Sequence, residues 1–245
     1  MAEAPSDDGK LARVARALRQ FAVFDDLDDA ALASVARLAQ PVPLPRGARL
    51  DEPAAAVGSI YLIVEGRLRL YREAPAGRQV TLDLLDTGDL FRFIVRAADG
   101  SLASVAQSAG GRAALYRFPG PRLLEILAAY PPVQARLGAV LARTLARAYD
   151  AMTELVLYDV ETRLARTLVR LAAEETDGER YVGATHAELG WRINAVREDI
   201  SRYLRRFARL GLIATEPHRR GLVVRDGLHE YAARRASRQR IHGDS

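Results

Sequence analysis

Arg197, Glu198 and Arg202 fall within six residues of one another and form a set suited to reading nucleic-acid bases. Each guanidinium can donate two hydrogen bonds to guanine O6 and N7, and a carboxylate can accept from the cytosine amine. A carboxylate beside a polyanion is costly unless it meets such an amine. Glu198 therefore points to sequence readout rather than to backbone attraction alone. Ser201 and Arg205 share the same outward face at helical spacing. Upstream, Thr185-His186-Ala187-Glu188 has the form of a capping box, in which the Thr hydroxyl takes the third helical amide and the Glu reaches back. Thr185 and His186 join the candidate DNA-contacting set at the mouth of that helix. Downstream, the basic pair Arg219-Arg220 stands in a turn, where it fits either a phosphate contact or an ordinary solvated turn.

These residues need two short helices and a hairpin to hold them. The first helix runs from the capping box through Ala187, Leu189 and Trp191, and Asn194-Ala195 is the turn. The second begins near Val196 and turns Ile200, Leu204 and Phe207 inward, at steps of four and three. Val196 is a poor capping residue, so Asn194 is expected to supply the cap. Gly211 to Thr215 and Gly221 to Val224 read as two strands of a wing joined by Glu216 to Arg220. Before this module, Asp159 caps a helix from Val160 to Glu175 with Leu164, Leu168 and Leu171 on its buried face. Thr176-Asp177-Gly178-Glu179 is a polar loop. A long helix is expected from Pro131-Pro132 to about Tyr158, with one apolar seam at Gly138, Leu141, Leu145, Ala148, Met152 and Leu155. A second seam runs through Leu137, Leu141, Thr144, Ala148, Ala151 and Leu155. From spacing alone, a two-stranded coiled coil and an intramolecular core helix fit equally well.

The N-terminal half changes period twice. Lys10 to Ala39 is helical, with a stripe at Leu11, Val14, Ala15 and Leu18 and a helix cap at Asp28. From Val42 to Phe118 short apolar runs alternate with turns: Ile60 to Val64, Arg67 to Tyr71 and Val80 to Leu85 read as strands of an antiparallel sandwich or barrel. Gly47, Gly58, Gly66, Gly77 and Gly88 mark turns that call for positive φ.

The 245 residues carry a net charge of +5, and its distribution is uneven. Thr185 to Ser245 holds 13 Arg and 7 acidic residues, whereas the rest holds 23 basic and 24 acidic. A basic terminal module on a near-neutral body suits a binder of the phosphate backbone. There is no cysteine, which excludes disulfides, thiolate metal sites, iron–sulfur clusters and thiol catalysis. No nucleophile–base pair, phosphate loop or metal-ligand spacing supports an enzyme. Met1 to Leu11 lacks the basic and apolar regions of a signal peptide, and no run reaches the length of a membrane span, so a cytoplasmic protein is expected.

The order of these features resembles the cyclic-AMP-receptor/FNR (CRP/FNR) family of bacterial transcription regulators over nearly the whole chain. The family's Arg-Glu and following Arg match Arg197, Glu198 and Arg202. Its Thr-x-x-Glu-Leu matches Thr185, Glu188 and Leu189, its β-roll matches Ile60 to Gly66 and Gly88-Asp89, and its hinge Asp matches Asp159. The resemblance implies an α+β chain: a cyclic-nucleotide-binding-like β-roll (jelly roll) with flanking helices at residues 1–130, a long dimerisation helix at 131–158, and a winged helix-turn-helix at 159–245. It implies a homodimer joined through Leu137, Leu141, Leu145, Ala148, Met152 and Leu155. The implied partners are a pseudo-palindromic double-stranded DNA site and RNA polymerase, with no membrane.

The sensor departs from the family's pattern. Members that bind cyclic AMP carry Gly-Glu and then Arg-Ser or Arg-Thr around the cyclic phosphate; here Arg92-Phe93 and Ser101-Leu102 stand near those places. Ala148-Tyr149 replaces the adenine-contacting Thr-Ser. Arg92, Phe93, Arg96 and Tyr149 are thus the candidate effector-pocket residues. These losses argue against cyclic AMP. Haem is disfavoured because His186, His218, His229 and His242 all lie in the C-terminal module, and Met152 fits seam packing better than an axial ligand. The effector is left unassigned. The alternative reading is a small-molecule sensor that acts through protein contacts, with vestigial DNA binding.

Overall fold

The computed structural model describes residues 7–50, 58–74, 77–92, 104–174, 180–215 and 221–240. Phe93, Arg96, Ser101-Leu102, Arg219-Arg220 and the Thr176–Glu179 loop lie outside these residues. The chain divides into two compact units between Ala146 and Arg147, inside the long helix.

In the first unit, helices α1 (Asp7–Leu18) and α2 (Asp29–Leu38) precede eight strands: β1 (Gln40–Leu44), β2 (Arg49–Leu50), β3 (Ile60–Glu65), β4 (Arg67–Glu73), β5 (Gln79–Asp86), β6 (Leu90–Phe91), β7 (Ser104–Ser108) and β8 (Ala113–Phe118). They form two antiparallel sheets in the orders β1-β8-β3-β6 and β2-β7-β4-β5. Leu44, Tyr61, Ile63, Leu68, Leu70 and Leu115 close the space between the sheets. Leu62 and Phe118 face the other way, onto Leu18, Phe24, Leu32 and Leu123 of the helical layer. This is the alternation that a sheet buried on both faces requires. Asp28 caps α2 as expected, its Oδ1 accepting from the Ala31 amide at 2.8 Å. All five turn glycines adopt positive φ. At Gly66 a side chain is excluded outright, because a Cβ would stand 2.5 Å from the Arg112 carbonyl oxygen.

Helix α3 (Gly120–Ala128) leads to α4 (Pro131–Leu157), 27 residues without an internal proline. Helix α3 is an element of its own, ahead of the long helix expected from Pro131-Pro132. Val133 and Leu137 of α4 pack on the helical core of the first unit. From Leu141 to Leu157 only Glu154 is shielded to any degree, and Leu141 is 70% exposed.

The second unit contains α5 (Val160–Glu174), β9 (Tyr181–Val182), α6 (His186–Ile193), α7 (Arg197–Arg209), β10 (Ile213–Thr215), β11 (Leu222–Val224) and α8 (Asp226–Arg240). The strands pair antiparallel in the order β10-β11-β9. Its core gathers Leu164 and Leu168 of α5, Leu189 of α6, Ile200, Leu204 and Phe207 of α7, and Leu228 of α8. Burying each of these large side chains contributes about 1.5–3 kcal/mol. No helix among the described residues is long and apolar enough to cross a membrane.

Candidate nucleic-acid interface

Helix α7 is built so that one face is core and the other is free for a ligand. Ile200, Leu204 and Phe207 are buried, while Arg197, Glu198, Arg202 and Arg205 are exposed. The side chains of Arg197, Glu198 and Arg205 make no hydrogen bond or ion pair among the described residues. Arg202 leans back along its own helix: Nη2 lies 2.5 Å from Asp199 Oδ1, and the guanidinium sits 4.8 Å from the Tyr203 ring centroid. These contacts on Tyr203 and Asp199 hold Arg202 firmly protonated and pre-orient its fork. Ser201 is half-buried, with Oγ 3.0 Å from His186 Nδ1. Ser201 and His186 thus tie α6 to α7 and are engaged with each other before any ligand arrives.

The capping box forms as the sequence predicts. Thr185 Oγ1 accepts from the Glu188 amide at 3.2 Å, and Glu188 Oε2 accepts from the Thr185 amide at 2.7 Å. The expected cap on the second helix does not form. Asn194 is the C-terminal cap of α6, in the left-handed conformation (φ 51°, ψ 52°), with its amide bonded back to Gly190 and Trp191 carbonyls. It belongs to the preceding helix, so the N-cap of α7 falls on Val196, which makes no side-chain cap bond. Between the helices the Ala195 amide donates to the Gly190 carbonyl at 2.9 Å. A Cβ on Gly190 would stand 2.7 Å from the Ala195 carbonyl oxygen, so this tight turn needs glycine.

Several supporting residues were not anticipated. Glu161, on the first turn of α5, is buried and accepts from Tyr231 Oη at 2.6 Å and from Arg206 Nη1 at 3.3 Å. Arg235 Nη1 completes the shell at 3.3 Å. One carboxylate therefore links α5, α7 and α8. Asp159 caps α5 through the Thr162 amide at 2.8 Å, as expected, and also pairs with Arg235 at 2.6 Å. Burial pushes the Asp159 carboxyl upward, but the Thr162 and Arg235 hydrogen bonds outweigh it and hold it below its ordinary value. Helix α8 escaped the sequence reading because its buried residues, Leu228, Ala232 and Ala236, are mostly small and repeat every four positions. The two-residue β9 carried no signal of its own.

A helix pair held at a fixed turn, with a basic outer face and a short sheet behind it, matches known DNA-binding modules. Residues 162–230 match the Crp-like helix-turn-helix domain. Over 226 residues the chain is 28% identical to the CRP-like cAMP-activated global transcriptional regulator of Mycobacterium tuberculosis, spanning 89% of this chain and 98% of that protein. It is 29% identical over 161 residues to the cyclic AMP receptor protein of Thermus thermophilus, spanning 65% and 72% of the two chains. A CRP/FNR-family transcriptional regulator of known structure, also from Thermus thermophilus, superposes with a TM-score of 0.56 at 26% identity, over 80% of this chain and 100% of that one. These likenesses support a regulator of the CRP/FNR family. The chain is a transcription regulator with a helix-turn-helix DNA-binding domain, and its relatives are regulators rather than enzymes.

In this CRP/FNR regulator the remaining candidate residues are placed as follows. Strands β10 and β11 pair as the wing hairpin, in the register Ile213–Val224 to Thr215–Leu222. On α4, Leu141, Leu145, Ala148, Met152 and Leu155 are exposed, whereas Leu137 turns toward the core of its own unit. Tyr149 is exposed. Arg92 follows β6 and lies over Gly58, its Nη2 standing 3.1 Å from where a Cβ on that glycine would be.

Proposed function

We propose that this regulator acts in the cytoplasm as a homodimer that reads a pseudo-palindromic duplex, each α7 entering one major groove, and that cyclic AMP is not its effector. RNA polymerase is the further partner expected of a regulator bound at a promoter. The observation that carries the DNA reading is the outward set Arg197, Glu198 and Arg202 on a helix whose opposite face is fixed by Ile200, Leu204 and Phe207. Dimerisation is supported by the exposed stripe Leu141, Leu145, Ala148, Met152 and Leu155, an apolar surface of the kind that marks an interface. The case against cyclic AMP rests on chemistry. The M. tuberculosis relative is described as cAMP-activated. Here Arg92-Phe93, Ser101-Leu102 and Ala148-Tyr149 stand near the places of the expected phosphate- and adenine-contacting pairs. A cyclic phosphate and ribose hydroxyl left unpaired in a pocket would cost several kcal/mol, on the order of 2–7 for each polar group.

Selection of bound duplexes from a random pool, using the full-length protein, tests the reading. The expected product is two related half-sites with centres about one helical turn, roughly 34 Å, apart. Glu198→Ala should relax one base pair and cost ~1–3 kcal/mol on the selected site. Leu145→Glu should yield a monomer in sedimentation and lose the two-fold site. A pool that emerges without any enriched sequence would support vestigial DNA binding instead.

A further inference from the structure

Val196 holds a place at the tip of α7 that its side chain does nothing to stabilise. It stands immediately before Arg197 and Glu198, at the N-cap, where Ser, Thr, Asp or Asn would strengthen the helix. The backbone there is already extended, at φ −74° and ψ 151°, as a capping residue requires, yet no side-chain cap bond is made. A single exposed valine is ordinary on a protein surface, so its 61% exposure says little by itself. Its place says more. Among the described residues after α4, the large apolar side chains left exposed are Val196 and Leu210, one at each end of α7. The 13 residues of the helix set them about 20 Å apart. A recognition helix enters the major groove by its N-terminal end, so Val196 leads and Leu210 trails.

The tip is held on both sides. Ahead of Val196, Asn194 takes its left-handed conformation and the Ala195 amide donates to the Gly190 carbonyl at 2.9 Å. Behind it, the Val196 carbonyl accepts from the amide of buried Ile200 at 3.3 Å. Valine branches at Cβ, so its two methyl groups have few positions to choose from. The product is a stiff apolar knob beside two exposed base-reading side chains, Arg197 and Glu198. In the major groove the apolar group on offer is the C5-methyl of thymine. That methyl projects from the edge of its base pair, so a short side chain can meet it while the longer Arg197 reaches a guanine edge. Phosphate oxygens and polar base edges offer an isopropyl group nothing.

We propose that Val196 is a specificity-determining residue, packing its methyl groups on the C5-methyl of a thymine in the base pair next to the one that Arg197 contacts. The proposal rests on the reading that α7 enters the major groove. It gives the missing cap a purpose: Ser in this place would strengthen the helix and lose the thymine.

Uracil lacks that methyl and keeps every hydrogen-bonding group of thymine, so it isolates the contact. The full-length protein is titrated by fluorescence anisotropy against the selected duplex, with each thymine of one half-site replaced in turn by uracil. The pair that Arg197→Ala relaxes in the selection marks where to look. Uracil beside that pair should weaken binding about fourfold, the worth of one buried methyl. Val196→Ala and Val196→Ser should bind the thymine and uracil duplexes equally, and Val196→Thr, with one γ-methyl left, should keep a preference of about twofold. Because Val196→Ser adds a cap, its loss of preference is not a loss of folding. A selected site without thymine in that place, a uracil effect there below about 1.5-fold, or an effect of undiminished size in Val196→Ala and Val196→Ser would each overturn the proposal and leave base reading by Arg197 and Glu198 standing. Tighter binding of Val196→Ser to selected and random duplexes alike would set residue 196 against a phosphate and overturn it too. A selection that enriches no sequence, or one that Arg197→Ala leaves unrelaxed, would overturn the groove reading itself and this proposal with it.

Discussion

Replacing Glu161 with Ala should destabilise the DNA-binding unit by about 3 kcal/mol, the lower end of the range for breaking a buried ion pair. The Glu161 side chain is 4% exposed and faces Arg206, Arg235 and the Tyr231 hydroxyl. Its removal leaves three donors to be re-solvated, and they differ in how easily that happens. The Arg206 side chain is 48% exposed and can turn to water at little cost. Arg235 is 27% exposed and still holds Asp159. Tyr231 packs edge-on to Phe207, with ring centroids 5.6 Å apart, so its hydroxyl cannot swing free. The penalty falls chiefly on Tyr231 and Arg235, which places it at the low end. Glu161→Gln keeps an acceptor for the phenol and should cost about half as much, because a neutral hydrogen bond replaces a charge-assisted one. The chain has one tryptophan, Trp191, and it lies on α6 of this unit. Urea unfolding followed by its fluorescence therefore reports the second unit alone. A loss below about 1 kcal/mol, or equal losses for Ala and Gln, would refute the reasoning, since a solvated surface carboxylate behaves that way.

Val196→Ser should supply the missing cap of α7 and raise stability by about 1 kcal/mol in the same unfolding assay. Gly190→Ala should cost about 1–3 kcal/mol, since its Cβ must displace the Ala195 carbonyl, and should weaken DNA binding in a mobility-shift titration by spreading α6 from α7. The Asp159 carboxyl is depressed in the folded chain, so its contribution is present above the unfolded pKa of about 3.9 and is lost as pH falls through the folded value below it. Asp159→Asn should flatten that acid limb of a stability–pH profile recorded through Trp191, and an unchanged limb would mean that other carboxylates set it.

The parts of this fold that were legible in the sequence are those where one residue type serves one local purpose. Ile200, Leu204 and Phe207 repeat at helical steps, so the buried face of α7 was visible. Thr185 and Glu188 stand three apart, so the capping box was visible, and glycines marked the turns of the roll. Asn194 misled because a capping residue fits either side of a two-residue turn, and only the backbone decides which helix it serves. Its left-handed conformation assigns it to α6. Glu161 could not be singled out, since an acid on a helix's first turn is ordinary and its partners lie 45, 70 and 74 positions away.

The contacts around Asp159 and Glu161 bear on how the end of α4 is coupled to the reading helix. Arg235 pairs with Asp159 Oδ2 at 2.6 Å and with Glu161 Oε2 at 3.3 Å, and it also donates to Thr162 Oγ1 at 3.3 Å. Gln239, one turn further along α8, accepts from the Asp159 amide at 3.2 Å. The peptide that joins α4 to α5 is thus held by α8, and the carboxylate two residues later is held by α8 and α7 together. A rotation at Asp159 must either carry α8 with it or break two charge-assisted hydrogen bonds. If it carries α8, then Glu161 and Arg206 move as well, and α7 turns as a rigid part of the unit. A displacement that begins at the α4–α5 junction therefore reaches Arg197, Glu198 and Arg202 as a change in the angle of the whole helix, with the packing of Ile200, Leu204 and Phe207 left intact.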